Sequence, residues 1–166
     1  AGNLLPVKNP ESLPGIFHEV RRLYQGGIEF WVVGDGKSRL KVEAELNADS
    51  TLECRFWGNM PPERMPEIFN CTDVLVLPSK NEGLGMVLVE AVRCGADAVA
   101  SRVGGIPEVI GTENTVPLGG NFTICMADLT VKGLNGKLHR PSVDLFDWNL
   151  AAEKERRLID NMLSNG

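Results

Sequence analysis

The stretch Val74-Leu75-Val76-Leu77 is apolar at four consecutive positions and is closed by Pro78. Side chains alternate between the two faces of a strand, so a run that is apolar throughout must be covered on both sides. That is the pattern of parallel sheets lying between two layers of helices. The rest of the chain supplies such helices. Leu13, Ile16, Phe17, Val20, Leu23 and Tyr24 recur at helical spacing. Asn9 or Ser12 is placed to cap that helix, with Pro10 or Pro14 in its first turn and Gly26-Gly27 at its end. Strand-like segments at 28–33, 51–57, 98–101 and 114–118 alternate with helical ones at 37–48, 66–71, 85–94 and 107–110. Helical segments follow from about 121 to 134 and from about 143 to 163. Strands separated by helices imply right-handed crossovers and a parallel sheet, so the expected fold class is α/β, a doubly wound parallel sheet.

One domain of 166 residues, 43% hydrophobic and 23% charged, has the composition of an ordinary globular chain. No apolar run approaches the roughly 18 residues that a membrane span needs. With 17 basic against 22 acidic residues, the net charge of −5 excludes a chain built to coat nucleic acid, since phosphate neutralisation needs clustered Lys and Arg. The four cysteines, at 54, 71, 94 and 125, form no C-x-x-C pair, and Cys71 and Cys94 read as small buried hydrophobes. His18 and His139 are isolated from them, which argues against structural zinc. The first residues lack the basic and apolar regions of a signal peptide, so a cytoplasmic location is expected. Residues 3–7 read as the remnant of a first strand. A buried parallel strand has several more residues before it, so the chain is expected to begin inside a larger protein with that strand truncated.

The chemistry concentrates in Pro78 to Gly95, PSKNEGLGMVLVEAVRCG. In open α/β sheets, ligands bind where the carboxyl ends of strands lead into helices. A helix start there offers free N–H groups to a phosphate, and Gly83 and Gly85 let a ligand approach the backbone. Glu90 is the single charge between Met86 and Val92, in a segment apolar on nearly every face, which is the signature of a buried helix. A buried carboxylate has to be paired or hydrogen-bonded. Two explanations stand: a structural partner such as Arg93 or Arg102, or a ligand with two hydroxyl donors, such as a ribose diol. Glu82, by itself, reads as a solvated loop acid.

Together these residues resemble the family-four retaining glycosyltransferases. The resemblance rests on Glu82-x7-Glu90 within an EGLG turn after VLVLPS, and runs through nearly the whole chain. Leu4-Leu5-Pro6-Val7-Lys8 is similar to the family's basic motif after the first strand, and Val32-Val33-Gly34-Asp35-Gly36 to its second strand and turn. Asn70-Cys71-Thr72-Asp73 resembles the approach to the site, and the stretch from Ala100 to Glu108 the strand and turn that follow. Phe146-Asp147-Trp148 opens a C-terminal segment similar to the family's crossover helix.

The resemblance implies a GT-B architecture of two Rossmann-like domains, of which this chain is the C-terminal, donor-binding one. Carried over by position, Glu90 holds the ribose hydroxyls, and Glu82 contacts the transferred sugar together with backbone groups of Gly83, Leu84, Gly85 and Met86. Val87 lies by the diphosphate, and Lys8 neutralises that diphosphate as it leaves. Trp57, Gly58, Asn59 and Met60 fall on the base side of the donor site, although Trp57 alone reads as a core aromatic, and Gly34 is a further donor-binding candidate. Asn3 stands where the family places Arg, and it keeps a donor but loses the charge; Lys80 is one candidate replacement. No Asp-x-Asp metal motif occurs, in keeping with metal-independent transfer and no cofactor. Acceptor groups belong to the absent N-terminal domain, so no catalytic acid or base is assigned here.

The expected partners are therefore a nucleotide-diphospho-sugar, with UDP or GDP, and the missing acceptor domain, with no nucleic acid. Membrane association of an intact enzyme stays open, because anchoring surfaces would lie on the other domain. The alternative is a non-catalytic nucleotide-sugar-binding or interaction module, which Asn3 favours and the retained Lys8, Glu82 and Glu90 disfavour. A nicotinamide-dependent dehydrogenase fits poorly, since neither glycine turn completes G-x-G-x-x-G. The stripe Trp148, Ala151, Ala152, Leu158, Ile159 and Met162 predicts an apolar patch on the isolated chain. Sedimentation velocity is expected to show concentration-dependent association; a monomer at all concentrations would contradict the patch.

Overall fold

The computed structural model describes residues 2–140 and Arg156. The crossover helix expected from about residue 143, with its apolar stripe, lies outside the described residues apart from the exposed Arg156. In chain order the described α-helices and strands are α1 (Leu13–Leu23), β1 (Phe30–Val33), α2 (Arg39–Ala48), β2 (Cys54–Gly58), α3 (Met65–Asn70), β3 (Val74–Leu77), α4 (Met86–Arg93), β4 (Asp97–Ser101), α5 (Ile106–Ile110), β5 (Thr115–Val116) and α6 (Phe122–Leu134). All strand pairing is parallel. β1 pairs with β2, and β3, β4 and β5 pair in that order.

Alternation of side chains along β3 and β4 builds two cores. Val74, Val76 and Val99 face one way and join Phe30 and Val32 of β1, Ile16, Phe17 and Val20 of α1, and Met126 and Ala127 of α6. Leu75, Leu77, Ala98 and Ala100 face the other way and pack against Phe69 of α3, Leu88, Val89 and Ala91 of α4, and Ile106, Val109 and Ile110 of α5. This is why the VLVL run is apolar at every position. Each fully buried Val, Leu or Ile contributes about 1.5–3 kcal/mol; the buried polar residues of β4, Asp97 and Ser101, stand at its two ends, each with a hydrogen-bond partner. Phe17 stacks on Phe30 with ring centroids 4.3 Å apart, fixing α1 over β1. Between β1 and β3 lies a cavity of about 410 Å³, lined on one side by Phe30–Val33 and on the other by Val74–Leu77.

Several expectations are corrected. Of residues 3–7, only the start runs extended: the Gly2 and Leu4 N–H groups donate to the Val33 and Asp35 carbonyls at 2.9 and 2.8 Å, beside the end of β1. Pro6 has no N–H to continue such a ladder, and Pro6–Lys8 instead forms a 3-10 turn. Neither Asn9 nor Ser12 caps α1 through its side chain. Asn9 adopts a left-handed conformation (φ 53°) between two 3-10 turns, and Ser12 Oγ donates to its carbonyl. The expected strand at 114–118 shrinks to Thr115–Val116, because Thr112–Asn114 is a 3-10 turn and Pro117 cannot donate.

Cys71 is exposed rather than buried, because α3 is only six residues long and the cysteine falls at its end. Cys94 is half-buried. The Cys54 thiol is pushed up to about 11, chiefly by burial and also by the negative charge of Asp49. Iodoacetamide at pH 8 on the folded chain is therefore expected to alkylate Cys71 and Cys125, both exposed, well before Cys54. Mass spectrometry of the labelled peptides checks the order, and equal labelling of Cys54 would contradict it.

Candidate functional site

The loops that leave the carboxyl ends of β3 and β4 form one braced unit. After Leu77, Pro78 and Ser79 are buried and the chain turns towards α4. Ser101, at the end of β4, donates its hydroxyl to the Ser79 carbonyl, tying the two loops together. The Gly105 N–H donates to the Gly83 carbonyl at 2.7 Å. Gly104 has φ 53°, and a Cβ there would lie 1.8 Å from the Glu82 carbonyl oxygen, so only glycine permits this approach. The turn carrying Glu82 is thus held from the neighbouring strand's loop.

Lys8 meets that turn from the opposite end of the chain. The Lys80 N–H donates to the Val7 carbonyl at 2.8 Å, which clamps the Pro6–Lys8 turn onto the loop after β3. Lys8 Nζ then donates to Glu82 Oε2 at 2.5 Å, and Ser79 Oγ donates to the same oxygen at 3.2 Å. The Glu82 side chain is 14% exposed and that of Lys8 32% exposed, so the pair is shielded yet reachable. Glu82 is therefore no solvated loop acid. Position 82 meets position 8 only through the fold.

α4 begins at Gly85, whose φ of 73° and ψ of 54° are left-handed and suit glycine. No side chain caps this helix, which leaves first-turn N–H groups and the positive end of its dipole facing the loop. A Cβ on Gly83 would meet nothing within 4 Å, so the space above it is open. The helix is not apolar all round. Leu88, Val89 and Ala91 are buried, Val87 and Leu84 are half-buried, and Met86 and Glu90 are exposed one turn apart on the same face. The expectation of a buried Glu90 is thereby corrected: α4 covers one face of β3 and β4, and its outer stripe remains open. Among the described residues Glu90 has no ion-pair partner. Arg102 is engaged elsewhere, with Thr115 Oγ1 and the carbonyls of Thr112 and Thr115.

The residues assigned to the base side lie at the end of β2, beside Gly34 at the end of β1. The Gly34 N–H donates to the Gly58 carbonyl at 2.7 Å, and both glycines have positive φ, 120° and 65°. Asn59 is exposed and Met60 half-buried. Trp57 is half-buried: its ring meets that of Trp31 edge-on with centroids 5.2 Å apart, and the Arg55 guanidinium lies 5.4 Å from its centroid. Asp35 is held below the usual carboxylate range, first by the Gly36 N–H and then by the Arg39 guanidinium. Arg39 is in turn occupied by Asp35 and Glu43. Asn3 is exposed and lines the cavity between β1 and β3 together with Lys8.

Ser79, Gly104 and Gly105 were missed as site residues. Their signal in the sequence is slight: one serine after a strand-ending proline, and two adjacent glycines after the next strand. Taken together, a lysine, two carboxylates and an uncapped helix start stand at the carboxyl ends of parallel strands, where they suit an anionic, hydroxyl-rich ligand. A family model described as glycosyl transferases group 1 matches residues 1–119. The chain belongs to that family.

Its curated relatives include a D-inositol 3-phosphate glycosyltransferase of Segniliparus rotundus, 30% identical over 68% of this chain and 26% of that protein. The GPI3 subunit of the phosphatidylinositol N-acetylglucosaminyltransferase of Saccharomyces cerevisiae is 26% identical over 98% of this chain and 38% of its own length. The chain thus spans only about a quarter to two fifths of these relatives. Among solved structures, the C-terminal domain of the group 1 glycosyltransferase LpcC of Francisella tularensis aligns with a TM-score of 0.68 at 20% identity, over 87% of this chain and 78% of that one. HepE of Anabaena, solved with UDP, aligns with a TM-score of 0.65 at 18% identity, over 99% of this chain and 48% of HepE. The fold of this chain is accordingly the Rossmann-like α/β fold of GT-B C-terminal domains.

The brace at Gly104 generates a direct test. Gly104→Ala places an L residue at a left-handed φ and a methyl group against the Glu82 carbonyl. The expected cost is about 2 kcal/mol or more of stability, read as a lower urea midpoint. An unchanged midpoint would show that the Glu82 turn is not braced in this way.

Proposed function

We propose that this chain is the donor-binding half of a retaining glycosyltransferase. It would bind a nucleotide-diphospho-sugar, with UDP or GDP as the nucleotide, and present it for transfer of a hexosyl group to an acceptor hydroxyl. The observation that carries this reading is the convergence of Lys8 and Glu82 beside the open, uncapped start of α4. In this reading the diphosphate lies between Lys8 and the first turn of α4, near Val87. As the bond to the sugar breaks, charge builds on the leaving phosphate, and Lys8 with the helix N–H groups stabilises it. Glu82 accepts hydrogen bonds from sugar hydroxyls, with backbone groups of Gly83, Leu84, Gly85 and Met86 alongside. Glu90, free on the outer stripe of α4, accepts from the ribose diol. Trp57, Gly58, Asn59 and Met60 flank the base.

The acceptor and its binding groups belong to a second domain, so the chain alone is inactive in this reading. No described helix is long and apolar enough to cross a membrane. A cytoplasmic setting, expected from the sequence, is part of this reading. Exposed, uncharged Asn3 beside Lys8 favours the second reading, a module that binds the nucleotide without supporting transfer.

Calorimetric titration with UDP, GDP and ADP, without metal and then with Mg²⁺, tests the site. One nucleotide is expected to bind without metal, and Glu90→Gln to weaken it about tenfold by removing a charge-assisted acceptor. Absence of binding by all three to a folded chain, or an unaffected Glu90→Gln variant, would overturn the assignment.

A further inference from the structure

Lys8, the cation that the donor-site reading sets against the diphosphate, is engaged within the protein itself. Lys8 Nζ is 2.5 Å from Glu82 Oε2, and Ser79 Oγ donates to that same oxygen at 3.2 Å. Among the described residues, Glu82 Oε1 makes no hydrogen bond and is available to a ligand. Neither partner is free to drift. Lys8 rides on a turn clamped by the Lys80–Val7 hydrogen bond, and the Glu82 turn is braced by Gly104 and Gly105. Ser79 is fully buried, with its carbonyl held by Ser101.

We propose that Glu82 is an internal counter-ion that holds Lys8 until a donor phosphate displaces it, and that Ser79 positions Glu82 for this exchange. The inference rests on the donor-site reading above. A carboxylate oxygen and a phosphate oxygen compete for the same ammonium, so an arriving diphosphate takes Lys8 and leaves Glu82 without its partner. Glu82 is then a shielded carboxylate near a negatively charged ligand, which is unfavourable unless something donates to it. The hydroxyls of an attached sugar do so. A spent nucleoside diphosphate has none, and Glu82 recaptures Lys8 as it leaves. The pair therefore makes the site discriminate the loaded donor from the spent nucleotide, beyond the contacts that each makes directly.

The test compares the wild-type chain with Glu82→Gln, Ser79→Ala, Lys8→Ala and the Lys8→Ala/Glu82→Gln double variant, each checked for folding by thermal melting. Titration uses UDP and GDP. Glu82→Gln is expected to tighten the bound diphosphate about fivefold, the scale of a partly exposed ion pair, and Ser79→Ala to tighten it less. The gain should shrink in the Lys8→Ala background, where only the relief of repulsion between Glu82 and the diphosphate persists. A second readout needs no nucleotide: acylation of the Lys8 amine, followed by mass spectrometry, is expected to be faster in Glu82→Gln than in wild type. Unchanged or weaker diphosphate binding by Glu82→Gln would overturn the proposal, as would an equal gain without Lys8 or unchanged acylation. If no nucleotide binds any variant while acylation still accelerates, the ion pair stands, but the donor-site reading fails and the gating role falls with it.

Discussion

The parallel pairing of β3 with β4, in the register Val74↔Asp97 to Leu77↔Ala100, is the contact on which the rest of the molecule is arranged. Both strands are covered on both faces, so their side chains assign every neighbouring helix to a layer. α1 and α6 take one side, and α3, α4 and α5 the other. The in-step register also decides where the strands end. Leu77 and Ser101 finish close to one another, and the loops that leave them become neighbours that can brace each other. Ligand sites of open α/β sheets fall at such carboxyl ends because the crossover helices start there.

The site follows from that arrangement with few additional parts. The buried Ser79, the glycine pair at 104–105 and the Lys80–Val7 hydrogen bond are backbone devices that hold the Glu82 turn and bring Lys8 to it. Charge is concentrated in two side chains, Lys8 and Glu82, partly shielded from solvent, where electrostatic interactions are stronger than in bulk water. α4 contributes through its start and its outer stripe: an uncapped N-terminus beside the pair, and Glu90 one turn along from Met86. The inner face of the same helix is fully committed to the core through Leu88, Val89 and Ala91.

Much of this was legible in the sequence, for identifiable reasons. The VLVL run declared a strand with two covered faces, and the helical spacing from Leu13 to Leu23 declared α1; both are local periodicities that the packing then used. Expectations failed where tertiary context outweighed local pattern. Glu90 looked buried because its neighbours are apolar, yet hydrophobic residues also stand exposed, and Met86 shares its open stripe. Cys71 looked buried because the segment before it is apolar, yet α3 ends just there. Residues 3–7 looked like one strand, but Pro6 ended the ladder after Leu4.

By itself, the sequence determined the order and type of the elements from α1 to α6, the parallel α/β class and the motif Glu82-x7-Glu90 on a glycine turn before a helix. These are legible because periodicity, glycine placement and proline placement act over a few neighbouring residues. Only the tertiary structure decided that Lys8 and Glu82, 74 positions apart, share a hydrogen bond, that Ser79 joins them, and that Glu90 faces outward. Such facts depend on how strands align and how each helix is rotated over the sheet. Those are set by the packing of the whole core, and no short stretch of sequence carries them.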